Sequence, residues 1–244
     1  MQLALQLYTL REQMEVDPSG TLRAVADMGL EWVELAGTYG KSPGEFAAML
    51  KDAGLRACSA HIGLDRLQSD MAGALEELNA VGAGFAAVPW VDLQAHDDTS
   101  ALANQLTTIS DELAESGIEL SYHNHAGELE GAEPTWLDRL FEAAHAGPLK
   151  AQLDLGWIQA AGKDPVSYIQ RYANRLPTVH LKDFSGDREN PDAIAGKGKL
   201  DWPKILESCK TAAVQFGILE MDNPGADPLT SVRNCVDFFR TQGV

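Results

Sequence analysis

The sequence predicts an α/β chain folded as a closed (β/α)8 barrel, one domain over residues 1–244. Three observations carry that expectation. Strand-like and helix-like segments alternate from end to end. There are eight such pairs, with strands starting roughly every 30 residues, the length of a βα unit. No linker or low-complexity stretch interrupts them. An open doubly wound sheet is the structural alternative. A glycine-rich GxGxxG turn is missing after the first strand, however, and eight parallel units with no ninth favour closure.

The first strand is LALQLY, residues 3–8, and its helix, residues 19–29, starts at a serine cap and stops at Gly29. WVELAG (32–37) is the second strand, followed by a helix over 43–54 with proline near its start and glycine at its end. LRACSAHI (55–62) leads into an alanine-rich helix over 69–83, and FAAVPW (85–90) into a long helix over 98–116. The fifth strand runs from Ile118 through SYHNH and precedes a helix over 135–147. KAQLDLGW (150–157) pairs with helix 164–174, and TVHLKDF (178–184) with helix 201–213 across a polar loop, 185–200. FGILEMD (216–222) and a helix over 227–240 complete the chain.

Composition narrows the function. Acidic residues (36) outnumber basic ones (19), giving a net charge of −17. Nucleic acid is a poor partner for such a surface, since phosphate binding needs cationic groups. Cys58, Cys209 and Cys235 are odd in number and form no CxxC pair, which points to neither a disulfide framework nor a zinc knuckle. A reducing, cytoplasmic compartment is the simplest expectation. The N-terminus lacks a basic region before its short apolar run, and no stretch is long enough to cross a bilayer. The expected partner is a small molecule not held by a broad basic patch, with neither nucleic acid nor membrane, and a homo-oligomer is compatible with this.

Polar residues cluster where strands end: Gln6 and Tyr8, Glu34, His61, His123 and His125, Asp154, His180 and Lys182, Glu220. Pairs on one strand share parity, and in an extended chain such residues stand about 7 Å apart on one face. In a barrel that face is the lumen, and active sites are built at its C-terminal mouth. Buried imidazoles and lone carboxylates between leucines call for a partner, for which a cation is the commonest choice. The nitrogen/oxygen set suits one divalent ion: Mn²⁺, Zn²⁺, Co²⁺ or, less well, Mg²⁺. Plainer readings stand beside these. Glu34 could pair with Lys182, His61 could be a satisfied core histidine, Trp157 could be packing, and Lys182 could be an ordinary surface lysine.

Taken in order, SYHNHAGE, QLDLGWIQAAGKDP, VHLKDF, AGKGKLDW and ILEMDNP resemble the xylose-isomerase-like barrels, in particular the sugar phosphate isomerase/epimerase group. The resemblance implies a metal-dependent isomerase or epimerase acting through a stabilised enediolate. Carried across by motif, the metal ligands fall on His123, Asp154, His180 and Glu220. His123 stands where relatives carry a glutamate. Glu220 is the expected base, with His125 or Glu128 as second group and Lys182 at a substrate oxygen. Glu34, His61, Trp157, Lys182 and Glu128 are the expected substrate contacts. Asp201 is expected to cap its helix. The rivals are a lyase or dehydratase of the inosose or 3-keto-glycoside kind, an apurinic-endonuclease-like phosphodiesterase, and an inactive sugar-binding protein.

Overall fold

A computed structural model of the chain describes residues 1–145 and 147–244. Eight parallel strands close into a barrel: β1 Gln2–Gln6, β2 Trp32–Leu35, β3 Arg56–His61, β4 Phe85–Val88, β5 Glu119–His123, β6 Lys150–Asp154, β7 Thr178–Leu181 and β8 Phe216–Leu219. β1 seals the ring against β8, with Leu3 opposite Gly217. Glycine is required at 217 because a Cβ there would stand 2.7 Å from Leu181 Cδ1. Alternate strand residues such as Leu5, Val33, Leu120, Leu153 and Val179 join the core beneath the surrounding helices. The opposite parity faces the lumen.

Helix starts obey cap chemistry. Asp17, Asp164 and Asp227 each precede a proline at the first helical position and accept backbone N–H groups from the first turn. Ser42 with Glu45, and Thr135 with Asp138, close reciprocal capping boxes. The first long helix is therefore Pro18–Asp27, begun by Asp17 and not by Ser19. Asp70 likewise starts the expected 69–83 helix at Met71–Val81, and a separate short helix, Leu64–Ser69, precedes it.

The strands end sooner than the apolar runs suggest. After Gln6 the chain turns into a short 3-10 helix, Leu7–Leu10, and Gln6 Oε1 accepts the Tyr8 N–H. After Asp154 it enters a helix, Leu155–Ala160, whose cap is Asp154 itself. After Leu181 a two-residue strand, Asp183–Phe184, pairs antiparallel with Asp192–Ala193. Tyr8, His125 and Lys182 thus lie beyond their strands, and period-two parity does not place them. The turns at the mouth do.

Candidate active site

Glu34, fully buried on β2, is the centre of a polar layer inside the lumen. Its Oε1 accepts from Gln6 Nε2 at 2.7 Å and from His180 Nε2 at 2.7 Å, with His61 Nε2 at 3.2 Å. Its Oε2 accepts from Gln152 Nε2 at 2.7 Å. Because the Gln152 amide nitrogen is so used, its Oε1 is the acceptor for His61 Nε2 at 2.8 Å and His123 Nδ1 at 3.2 Å. These bonds set the proton positions. His123 carries its hydrogen on Nδ1 and keeps Nε2 available as a donor atom. His180 has Nε2 fixed by Glu34, so Nδ1 faces Glu220 Oε2, 2.9 Å away. Burial opposes ionisation of Glu34, yet His61 and His180 hold its carboxyl well below the usual range. Burial also works against a charged His180, but Glu220 and Glu34 raise its pKa to about 10.

Above this layer His123, Asp154, His180 and Glu220 bring one donor atom each within 4.8 Å of the others, all buried. Asp154 Oδ1 accepts the Trp157 N–H at 2.8 Å, and Asn124 Oδ1 fixes the Asp154 backbone N–H at 3.1 Å. Asp154 Oδ2 is buried with no hydrogen-bond partner, 4.0 Å from His180 Nδ1 and from Lys182 Nζ. Burial raises the Asp154 pKa to about 7, with Lys182 opposing and Glu220 adding to the rise. An orphaned buried carboxylate oxygen is costly unless something binds it. Two imidazole nitrogens and two carboxylate oxygens around it fit a divalent cation.

Lys182 is not a surface lysine. It is buried, bonded to Asp222, and lies 3.6 Å from Glu220 Oε2 and 3.7 Å from Asp192 Oδ1. Burial acts against its charge, but these carboxylates raise its pKa. Glu34 pairs with His180 and His61, not with Lys182. Gly156 makes room for the lysine stem, since a Cβ there would stand 2.8 Å from Lys182 Cγ. Glu220 is pushed up by burial, but Lys182 and His180 outweigh this and keep it well below the ordinary value.

A cleft of about 380 Å³ opens over this cluster, lined by Tyr8, His61, Trp90, His123, His125 and Glu220, among others. His125 is placed by Glu128, which accepts its backbone N–H at 3.0 Å and the Tyr122 hydroxyl at 3.0 Å. His125 Nδ1 is buried without a partner, and burial lowers the ring's pKa against the pull of Glu128. Of the residues expected at substrate, His61 lines the cleft, whereas Glu34 is bonded to the imidazoles of His61 and His180 and Glu128 to the His125 backbone and the Tyr122 hydroxyl. Trp157 is half-buried, its ring 5.0 Å from Lys182 Nζ and 5.7 Å from His125. Asp201 caps helix Trp202–Thr211. Gln152, Asn124, Asp192, Asp222 and Trp90 were not singled out from sequence. Gln152 had a signal, since it shares strand and parity with Asp154. Asp192 lies in the two-residue strand Asp192–Ala193, and the others sit just past the ends of barrel strands, where no periodicity marks them.

The sequence profile of the xylose isomerase-like TIM barrel family matches residues 22–242. The chain belongs to that family. Among its relatives, inosose dehydratase of Lacticaseibacillus casei is 26% identical over 152 residues, covering 54% of this chain and 50% of that one. Inosose dehydratase of Geobacillus kaustophilus is 28% identical over 192 residues, 68% of this chain and 62% of the other. The aligned region thus spans about half to three-fifths of these relatives' length. A solved sugar phosphate isomerase/epimerase from Parabacteroides distasonis superposes with a TM-score of 0.83 at 21% identity, over 98% of this chain and 97% of that one. At that identity the likeness is one of fold. Among the described residues no helix is long and apolar enough to cross a membrane.

Proposed function

We propose that this protein is a divalent-metal-dependent isomerase or epimerase that moves a proton at the carbon next to the carbonyl of a keto-sugar or keto-cyclitol. The observation that carries the reading is the unpartnered, buried Oδ2 of Asp154 within the four-donor cluster, directly beneath an open cleft. A bound divalent cation supplies Lewis-acid stabilisation of negative charge developing on the substrate's carbonyl oxygen. His123 Nε2, His180 Nδ1, Asp154 Oδ2 and a Glu220 oxygen would hold it.

The chain's own groups supply the proton chemistry. Glu220 is kept anionic by Lys182, whose Nζ lies 3.6 Å from its Oε2. Its Oε1 is the oxygen left to take a proton from substrate. His125, kept neutral by burial and aimed by Glu128, is the second group at the cleft. It can return a proton to another carbon or face. Lys182 holds Glu220 and Asp222 in place while remaining charged.

Dehydration is the second reading. One observation favours it, the inosose dehydratases among the relatives, and the resemblance read from the sequence, which sets His123 where a glutamate is expected, points the same way. The first step is the same, and a β-hydroxyl then departs in place of reprotonation.

Mn²⁺-loaded protein incubated in D₂O with ketoses, 3-keto-glycosides and inosose decides between them. Deuterium entering next to the carbonyl, and ceasing after chelation, is the expected result. A product of unchanged mass apart from that label marks isomerisation or epimerisation, and loss of water marks dehydration. Protein shown to carry the metal that exchanges no substrate of the set would overturn the proposal.

A further inference from the structure

We infer that the substrate is an unphosphorylated, uncharged ring compound that rests an apolar face on Trp90 and Tyr8. The inference takes the cleft as the substrate site, and to that extent rests on the proposed function.

In barrels of this kind, phosphate is commonly held by the loops after the seventh and eighth strands, through backbone N–H groups. This chain builds such a cradle after β7 and fills it with its own carboxylate. Asp183 accepts from Phe184 N at 2.9 Å, Gly196 N at 2.8 Å, Gly198 N at 3.1 Å, Leu200 N at 3.2 Å and Trp202 Nε1 at 2.9 Å. A Cβ at Gly198 would stand 2.1 Å from Asp183 Oδ1, so the anion already inside leaves no room even for a methyl group. Among the described residues lining the cleft none belongs to this cradle, so it offers no donor to a phosphate on a bound substrate.

No other cation is offered. Among the described residues lining the cleft there is no Arg or Lys, and Glu220 and Asp222 are both present. Lys182 is enclosed by carboxylates. Arg11 lies against the Tyr8 ring, 4.4 Å from its centroid, and donates to the Tyr8 carbonyl at 3.1 Å. A phosphorylated sugar would bring two negative charges beside Glu220 and Asp222, which already share the one lysine near them, on a chain of net charge −17.

Outside its polar floor the cleft offers aromatic surface. Trp90 is 62% exposed and Tyr8 42% exposed, and both line it. Large exposed aromatics at a pocket mouth are costly to leave in water. Such rings match the C–H face of a pyranose or cyclitol, whose hydroxyls then point to His61, His125 and Glu220.

The test is fluorescence titration of Mn²⁺-loaded protein with two ligand pairs, myo-inositol against myo-inositol 1-phosphate and D-fructose against D-fructose 6-phosphate. The neutral member of at least one pair is expected to bind at least about tenfold more tightly than its phosphate. Trp90→Ala should weaken the neutral ligand about tenfold, measured by calorimetry, with Mn²⁺ affinity unchanged, and Trp90→Phe should restore most of it. Equal or tighter binding of the phosphates, no binding of either pair, or an indifferent Trp90→Ala overturns the inference. The two proposals fail separately. Neutral ligands that bind while no keto-sugar exchanges deuterium sink the reaction and keep the platform. Exchange confined to phosphorylated keto-sugars keeps the reaction and sinks the platform.

Discussion

At the end where its strands begin, the barrel lumen is filled by Ala4, Cys58, Phe85, Phe216 and Ile218, with Trp32 packed against them. The Phe216 ring meets Trp32 at 5.1 Å and Phe85 at 6.1 Å, both edge to face. At the other end, the same strands carry Gln6, Glu34, His123, Gln152, Asp154 and His180. The closed end is held by packing, and its one polar atom among these rings, Trp32 Nε1, is buried without a partner. The open end satisfies itself in two stages. The Glu34 layer has a partner for every polar atom named there, whereas the layer above leaves Asp154 Oδ2 and His125 Nδ1 without one. Completeness marks structure, and its interruption a few ångströms higher marks the place for a ligand.

Substitutions at the incomplete layer should give the largest effects. His123→Ala is expected to weaken Mn²⁺ binding by at least about 10–100-fold, the loss typical of disturbing even a ligand's supporting partner. His125→Ala should keep most of the metal and lower turnover by about 10²–10⁴-fold. Metal titration of both variants is the check. If His125→Ala is the one that empties the site, the roles of the two histidines are exchanged.

The complete layer should respond in stability. Glu34→Ala leaves His180 buried with one of its two carboxylate partners gone, and the expected loss is about 3–5 kcal/mol in denaturant unfolding of the metal-free protein. An unchanged midpoint would mean that this layer does not support the ring. Glu34→Gln keeps the shape and should cost less.

A site outside the lumen gives the smallest effect. Burial would raise the pKa of Asp138, but the Tyr172 hydroxyl, the Thr135 N–H and Arg171 hold it below 3.8. A carboxylate depressed in the folded state contributes stability that is present above 3.8 and lost as pH falls through its lower, folded value. Asp138→Asn should therefore cost about 1 kcal/mol near neutrality, as loss of a capping group does. The difference from the parent in melting temperature should shrink as the acid range below that value is entered. A difference constant down to the acid limit would contradict the assignment.

The barrel was legible because eight apolar runs alternate with capped helical segments, and periodicity survives in each. The ends of strands were less so. LALQLY, KAQLDLGW and FGILEMD read as unbroken strands because apolar residues recur to the end of each short run. The structure stops them at Gln6, Asp154 and Leu219, where the side chains of Gln6 and Asp154 turn to cap the helical turns just beyond them. The set His123, Asp154, His180 and Glu220 comes together as one cluster. Gln152 and Asn124, which orient its members, carry no charge to draw notice. Asp183 lay within the run read as a strand, TVHLKDF, and its role was not visible there because its five donors come from residues 184–202 folded around it.

Glu34 also bears on how the chain reaches this state. Its partners come from β1 (Gln6), β3 (His61), β6 (Gln152) and β7 (His180), the last two 118 and 146 residues away in sequence. A half-barrel of β1–β4 would bury this carboxylate with half its partners missing, a poor resting state for a charge. The network therefore ties the two halves of the chain into one cooperative unit, completed late because its loop-closure entropy must be met first. The residues that orient the site are thus also the ones that report when the ring has shut.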